Sequence, residues 1–215
     1  VRVNDVAMPV SLRNMNASNF FNQLIDSSLL IESQFDFLYG VMPTESHQLL
    51  LVVNEYNQLT DMALLALGII TMDEEITEIP FETILEKKYY VVPNDQAYTQ
   101  IGSSFIEGMV QLDGALELEI VGIARPNPQT QVASLSSGLY YTKALRGEIL
   151  DLNMNSAIVD FMLANPTIHP LTGNLYDPID EVNAQQLYQR QLRRMGGTDA
   201  VETIRFYPRN FEAKE

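Results

Sequence analysis

One stretch of this chain, residues 118–145, limits the possible folds more than any other. It reads LEIVGIARPNPQTQVASLSSGLYYTKAL. A β-prone apolar run is followed by an Arg-Pro-Asn-Pro exit, a Ser-rich loop and the sequence Gly-Leu-Tyr-Tyr-Thr. The run predicts a strand, the prolines predict its end, and the residues after Gly138 predict the start of a helix. No catalytic motif has this pattern, so the stretch describes a fold rather than a reaction.

The strand of this stretch begins at a hairpin signal. Asp113-Gly114 separates residues 109–112 from residues 115–123, and both of these runs are β-prone. Asp-Gly favours a tight turn because both of its central positions adopt positive φ. In the second run apolar residues alternate with glutamates, which predicts a strand with one buried face and one wet face.

Other segments predict a mixture of strands and helices. Alternating or β-rich apolar runs predict strands at residues 1–10, 35–40, 48–54, 88–92 and 201–207. Apolar stripes predict helices at residues 19–32, 59–67, 81–86, 143–165 (with a break near Asn153) and 180–195. Residues 167–178 are rich in Pro, Gly and Asn and predict a loop. The expected fold class is therefore α+β.

Two of these helices carry end signals. Helix 59–67 has Asn57 or Thr60 available as its N-cap and Gly68 as its stop. Helix 180–195 has acidic residues in its first turn and two arginines in its last turn, which complements the helix dipole. It is the best-defined helix that the sequence predicts.

Composition excludes several classes of function. The chain has 215 residues, enough for one domain or two small subdomains, and it has no cysteine, which removes thiol chemistry and disulfides. Its net charge of −15 repels nucleic acid backbones. A solvated acidic surface explains that charge, and an attraction for cationic peptides or divalent cations is the alternative. The chain starts at Val1 and lacks an apolar run near 18 residues, as an excised loop would.

No candidate catalytic group has the partners that its chemistry needs. His47 and His169 lie far apart in sequence, without the spacing of paired metal ligands. Ser134, Ser136 and Ser137 lack the turn of a nucleophilic serine. Surface charge explains the carboxylates, and a catalytic pair of the glycosidase kind is the alternative. Packing explains the tyrosine pairs 89–90 and 140–141, and an aromatic platform is the alternative. We therefore expect no catalytic residue, no metal site and no cofactor.

Four blocks of the sequence resemble one family. They are residues 32–68 (ESQFDFLYGVMPTESHQLLLVVNEYNQLTDMALLALG), 81–94 (ending in YYVVPN), 118–145, and 204–215 (IRFYPRNFEAKE). In this order they resemble the extracellular domain of FtsX/MacB-like ABC transporter permeases of Gram-positive bacteria. Residues 1–19 match this pattern weakly, and the loop 167–178 is longer than that of MacB.

The resemblance implies a fold like the periplasmic core domain of MacB, with two small α+β subdomains and adjacent chain ends. A membrane-proximal, porter-like subdomain would comprise residues 1–34 and 180–215. An inserted, sabre-like subdomain would comprise residues 35–179. The domain would lie on the extracellular face of the cell membrane, as a loop between transmembrane helices.

The resemblance also implies a role without chemistry in the domain itself. A cytoplasmic ATP-binding subunit or domain would act through the transmembrane helices of a permease homodimer or heterodimer. ATP hydrolysis would be coupled to export or expulsion of a peptide, lipoprotein or antibiotic, or to signalling to a partner protein. The alternative is a free-standing secreted acidic module for binding or adhesion.

The candidate contact surface is the loop 129–137, which is polar and uncharged. Its candidate contact residues are Gln129, Thr130, Gln131, Ser134, Ser136 and Ser137. A mobile connector without a binding role is the alternative for this loop. The sequence names no other contact residue.

Overall fold

The structure is a computed structural model, and it describes residues 20–70, 78–108 and 112–199. Its strands are β1 (Phe21–Gln23), β2 (Phe35–Gly40), β3 (Gln48–Val52), β4 (Lys88–Val91), β5 (Tyr98–Ile101), β6 (Ser104–Glu107), β7 (Leu116–Pro126) and β8 (Gly138–Tyr141). Its helices are α1 (Ser28–Gln34), α2 (Asp61–Ala66), α3 (Phe81–Leu85), α4 (Asn94–Ala97), α5 (Lys143–Met154), α6 (Ala157–Ala164) and α7 (Glu181–Arg194). In these described ranges no helix has both the length and the apolarity needed to cross a membrane.

Six strands form one mixed sheet in the order β1-β8-β3-β7-β2, and β4 also pairs with β7. The long strand β7 organises this sheet. It pairs in parallel with β3, and it pairs antiparallel with β4 near its beginning and with β2 near its end. β8 lies antiparallel to β3 and parallel to β1, which places β1 at one edge of the sheet.

Both faces of the sheet are covered. Leu49 and Leu51 of β3 belong to one apolar cluster and Leu50 and Val52 belong to another, because successive side chains of a strand point to opposite faces. Helices α2, α3 and α5 cover the first face, and α1 with the loop before β8 covers the second. Burial on both faces explains why β3 is a continuous apolar run rather than an alternating one.

A separate apolar cluster lies beside the sheet. The hairpin β5–β6 packs there against α4, α6 and α7, with Phe105, Met162 and Met195 at its centre. Hydrogen bonds of the buried residue Asn94 connect segments of this cluster. Its Nδ2 donates to Ser156 Oγ at 3.0 Å and to the Met195 carbonyl at 2.7 Å, and its backbone N–H donates to Asn153 Oδ1 at 2.9 Å.

The strands β2 and β7 approach each other closely where both have glycine. Gly40 has φ of +67°, and a Cβ atom there would overlap the carbonyl oxygen of Val121. A Cβ atom on Gly122 would overlap the carbonyl oxygen of Val41. The pairing register shifts between Phe37 and Tyr39, so this crossing is a bulged part of the sheet.

The α+β class is confirmed. Strands 35–40, 48–52 and 88–91 lie where the sequence predicts them. The first half of β7 alternates between buried and more exposed residues, as predicted. Thr60 Oγ1 accepts the Ala63 N–H at 3.2 Å as the predicted cap, and Asp180 caps α7 in the same way. The predicted break near Asn153 is the boundary between α5 and α6.

Two predictions of helix are wrong. Residues 19–32 are not one helix, because Phe21–Gln23 pair with β8 and helix begins only at Ser28. Residues 138–141 form strand β8, and the helix that follows starts at Lys143. Both errors have one cause: β1 and β8 pair across more than 110 positions of sequence, and this pairing overrides local helix propensity.

Several predictions lie outside the described residues. These are the strands at 1–10 and 201–207, most of the first hairpin arm at 109–112, and the adjacency of the chain ends. The division into residues 1–34 with 180–215 and residues 35–179 stays a prediction. Phe21 pairs with Leu139 across the first of its borders.

Candidate functional site

A groove of about 450 Å³ opens at the sheet edge that contains β1 and β8. Four segments line it: the end of β1 with the turn after it, the first turn of α1, the segment 42–44, and the first turn of α5. Such a volume falls within the range of small-molecule and peptide sites.

The position of the groove follows from the sheet topology. β1 and β8 are adjacent and parallel, so their carboxyl ends meet at one edge of the sheet. α1 leaves β1 toward the face that contains Ile31, and α5 leaves β8 toward the opposite face, which contains Leu145. Two segments that leave adjacent strands toward opposite faces of a sheet have a crevice between them. In open α/β sheets such a position is called a switch point, and ligands bind there.

The groove has a mainly polar lining and a charged rim, with apolar side chains packed among the polar ones. The side chains of Leu24 and Ile31 are buried, and Met42 is half-buried against the same cluster. Lys143 Nζ lies 3.0 Å from Asp26 Oδ2 at the rim, and these side chains are 70% and 73% exposed. The arrangement offers an exposed apolar side chain, Leu29, beside two opposite charges.

Hydrogen bonds connect the predicted contact loop to the end of α1. Thr130 Oγ1 donates to the Gln34 carbonyl at 3.0 Å, and the Ser134 N–H donates to Gln34 Oε1 at 2.9 Å. Asn127 adds bonds to the same helix end, and its Oδ1 accepts the Gln129 N–H at 3.1 Å. These bonds give the loop a defined conformation.

The six residues predicted in this loop do not form one surface. Gln129, Gln131, Ser136 and Ser137 are exposed, whereas Thr130 and Ser134 are partly buried. Ser134 Oγ is buried without a hydrogen-bond partner in the described structure. None of the six lines the groove at β1 and β8. Their role as contact residues stays a prediction.

The two histidines occupy different surroundings. His47 Nε2 lies 3.9 Å from Glu119 Oε1 on the sheet. His169 Nδ1 accepts the Leu171 N–H at 3.2 Å, and its ring lies 5.2 Å from that of Tyr176. Partial burial, together with the nearby charge of Arg194, lowers the pKa of His169. No group of three or more potential metal ligands occurs among residues 20–70, 78–108 and 112–199.

The paired tyrosines mostly pack. Tyr89 and Tyr140 are buried, and the ring of Tyr141 stacks on Phe21 at 4.7 Å. Burial raises the pKa of Tyr89 far above its ordinary value. The Tyr90 hydroxyl donates to Glu117 Oε2 at 3.1 Å, and the Tyr140 hydroxyl donates to the Ser136 carbonyl at 2.9 Å. The four rings therefore do not form a common platform.

An ion pair also lies on this sheet surface. Lys88 Nζ lies 2.6 Å from Glu119 Oε2 and 3.3 Å from Glu117 Oε1. The hydrogen bond from Lys88 lowers the pKa of Glu119, and the same bond raises the pKa of Lys88. These residues connect β4 to β7, which is sufficient reason for their charges.

Sequence reasoning missed the groove and its charged pair. Asp26 and Lys143 are 117 positions apart, so no local pattern could join them. One signal was available: Lys143 occupies the first position of a helix, where the dipole disfavours a cation.

Comparisons of the chain with protein families, with curated proteins and with solved structures found no match.

Proposed function

We propose that this chain is the extracellular domain of an FtsX/MacB-like ABC transporter permease, and that it binds a substrate or partner protein without catalysing a reaction. A cytoplasmic ATP-binding subunit or domain supplies the energy through transmembrane helices. The domain couples that energy to export of a peptide, lipoprotein or antibiotic, or to signalling. MacB-like subdomains and a permease dimer belong to the same proposal.

One observation carries this proposal: three of the resembling blocks pair with one another in the main sheet. Block 32–68 contains β2 and β3, block 81–94 contains β4, and block 118–145 contains β7 and β8. β7 pairs with β2, β3 and β4, and β8 pairs with β3. Segments that resemble a family separately and also assemble into one unit support that resemblance better than scattered segments would.

The absence of cysteine from the chain allows a direct test of location. In a full-length gene product without other cysteines, Leu29→Cys places one thiol on a side chain that is 79% exposed. We expect a membrane-impermeant maleimide to label it on intact cells, and the protein to stay in salt-washed membranes with an ATP-binding protein. Leu50→Cys, at a fully buried side chain, is the control and should react only after denaturation.

The secreted binding module is the second candidate, and the exposed groove favours it equally. It predicts that the labelled protein is released into the medium and co-purifies with no ATP-binding protein. Labelling only after cell lysis would contradict both candidates. Retention in the membrane without an ATP-binding partner would contradict the coupling to ATP hydrolysis.

A further inference from the structure

We propose that the groove between α1 and α5 binds short peptides that carry a free ammonium group, a free carboxylate and an apolar side chain. This inference rests on the groove alone. It does not depend on the permease proposal, because a secreted binding module would contain the same groove. The peptide is recognised by three features: a switch-point position, exposed apolar surface at the mouth and a pair of opposite charges.

The first feature is where the groove lies. Its walls come from the turns that follow two adjacent parallel strands, and helices leave these turns toward opposite faces of the sheet. Side-chain packing within the sheet does not fill such a crevice, because the chain diverges there. The core residues hold its two sides in place, since Leu145 and Ile31 are buried in separate clusters. A ligand therefore meets a largely preformed site.

The second feature is the apolar surface that two of its residues offer. Met42 is half-buried and Leu29 at the mouth is 79% exposed, so these two side chains present apolar surface to a ligand, whereas Leu24 and Ile31 are buried in the core. A ligand that covers Leu29 removes apolar surface from water, which favours binding. The groove volume of about 450 Å³ suits a molecule of a few residues better than a single ion.

The third feature is the charged pair at the rim. Lys143 is the first residue of α5, where the positive end of the helix dipole opposes its charge. Asp26 offsets this cost from 3.0 Å away, but the pair is open to water and an exposed pair contributes little stability. A zwitterion matches both charges at once: its ammonium binds Asp26 and its carboxylate binds Lys143. Charge complementarity thus selects a peptide with both ends free.

The hydroxyl of Ser27 adds a neutral polar group to this site. Ser27 is the N-cap of α1, yet its side chain makes no capping hydrogen bond. It lines the groove beside Asp26. A serine at an N-cap commonly accepts a backbone N–H of the first helical turn. Because Ser27 does not, its hydroxyl is available to a peptide group of the ligand.

The test uses L-leucyl-L-leucine and the 215-residue chain, with binding measured by calorimetry and by amide shifts in the NMR spectrum. We expect saturable binding, with shifts concentrated in residues 24–31, 42–44 and 142–144. Asp26→Asn and Lys143→Gln should each weaken binding about tenfold, because each removes one charge-assisted contact. Lys143→Gln removes a cation from a helix start, so this variant should fold at least as well as the parent.

Matched controls separate the groove from general charge effects. Lys88→Gln and Glu119→Gln break the ion pair between β4 and β7, which does not line the groove, and should leave the affinity unchanged. Peptides blocked at one end test the same contacts without any variant: N-acetyl-leucyl-leucine and leucyl-leucinamide should each bind about tenfold more weakly. Glycylglycine, which has no apolar side chain, should not bind measurably.

The following results would overturn the proposal. They are an absence of saturable binding by leucyl-leucine, equal affinity for the blocked peptides, or unchanged affinity in both groove variants. Binding with shifts located in the loop 129–137 would move the site to the contact surface predicted from the sequence. The location of the protein in the cell affects none of these results.

Discussion

Replacing Asn94 by alanine should destabilise the cluster beside the sheet more than any surface change. Asn94 is 3% exposed, and its Nδ2 donates two hydrogen bonds, to Ser156 Oγ and to the Met195 carbonyl. Each such bond contributes about 0.5–1.5 kcal/mol net, and a buried acceptor that loses its donor costs about 1–3 kcal/mol. We therefore expect the free energy of unfolding to fall by about 3 kcal/mol.

Urea denaturation followed by circular dichroism measures this loss. With an m-value of about 2.5 kcal/mol/M, the midpoint should fall by about 1 M while m itself stays constant. Asn174→Ala is the matched control, because Asn174 is exposed, and its midpoint should move by less than about 0.2 M. A loss below about 0.5 kcal/mol for Asn94→Ala would refute the reasoning that the amide joins α4, α6 and α7.

Asn94→Asp tests the direction of the same hydrogen bonds. A buried carboxylate that faces the Met195 carbonyl is disfavoured when ionised, so its pKa should be raised in the folded state. A group whose pKa is raised by folding contributes its stability below its unfolded pKa and loses it as pH rises through the folded value. This variant should therefore be closer to the parent in stability at pH 4 than at pH 7. Equal destabilisation at both values would contradict the assigned donor.

Three further predictions concern the sheet and α5. Gly40→Ala should lower the free energy of unfolding by about 3 kcal/mol, because positive φ and overlap with the neighbouring carbonyl act together. Gly147→Ala in α5 should raise it by roughly 0.5–1 kcal/mol, since a Cβ there meets open space. Glu119→Gln should weaken the acid dependence of stability: a carboxyl whose pKa is lowered stabilises above its ordinary pKa and loses that contribution as pH falls through the folded value.

Each of these predictions has its own comparison. Gly102 also has positive φ but nothing within 4 Å of its Cβ position, so Gly102→Ala should cost only about 1–2 kcal/mol by thermal unfolding. Equal losses at Gly40 and Gly102 would show that the close approach of β2 and β7 costs nothing. For the Glu119 prediction, Lys88→Met should remove the same acid dependence of stability. Combining Lys88→Met with Glu119→Gln should change that dependence little beyond the effect of either single variant. A decrease in stability for Gly147→Ala would mean that low helix propensity at this position does not limit the stability of α5.

Local pattern was sufficient for elements whose environment repeats along the chain. β3 is buried on both faces and reads as five apolar or amide residues in succession, whereas β7 alternates because one face of its first half is wet. α7 carries its own cap at Asp180 and its own basic end, so its bounds follow from the sequence. In these elements the physical cause of the structure lies within a few residues.

Local pattern failed where distant segments decide the structure. Phe21 lies in a run with helical spacing, but it forms a strand because Leu139 offers a pairing partner. The hairpin β5–β6 was not predicted either: its inner face packs on α6 and α7, and the nearer of these helices begins 50 positions after the hairpin ends. The backbone bonds of such segments depend on neighbours that the sequence does not reveal.

The sequence by itself determined an acidic α+β chain without thiol chemistry, several of its helices and buried strands, and a resemblance that motivates the permease proposal. Only the tertiary structure decided that β1 and β8 run side by side, that α1 and α5 then diverge, and that Asp26 and Lys143 meet at the rim of the resulting groove. Periodicity records which face of a segment avoids water. Which segments share that face depends on packing between parts of the chain more than a hundred residues apart.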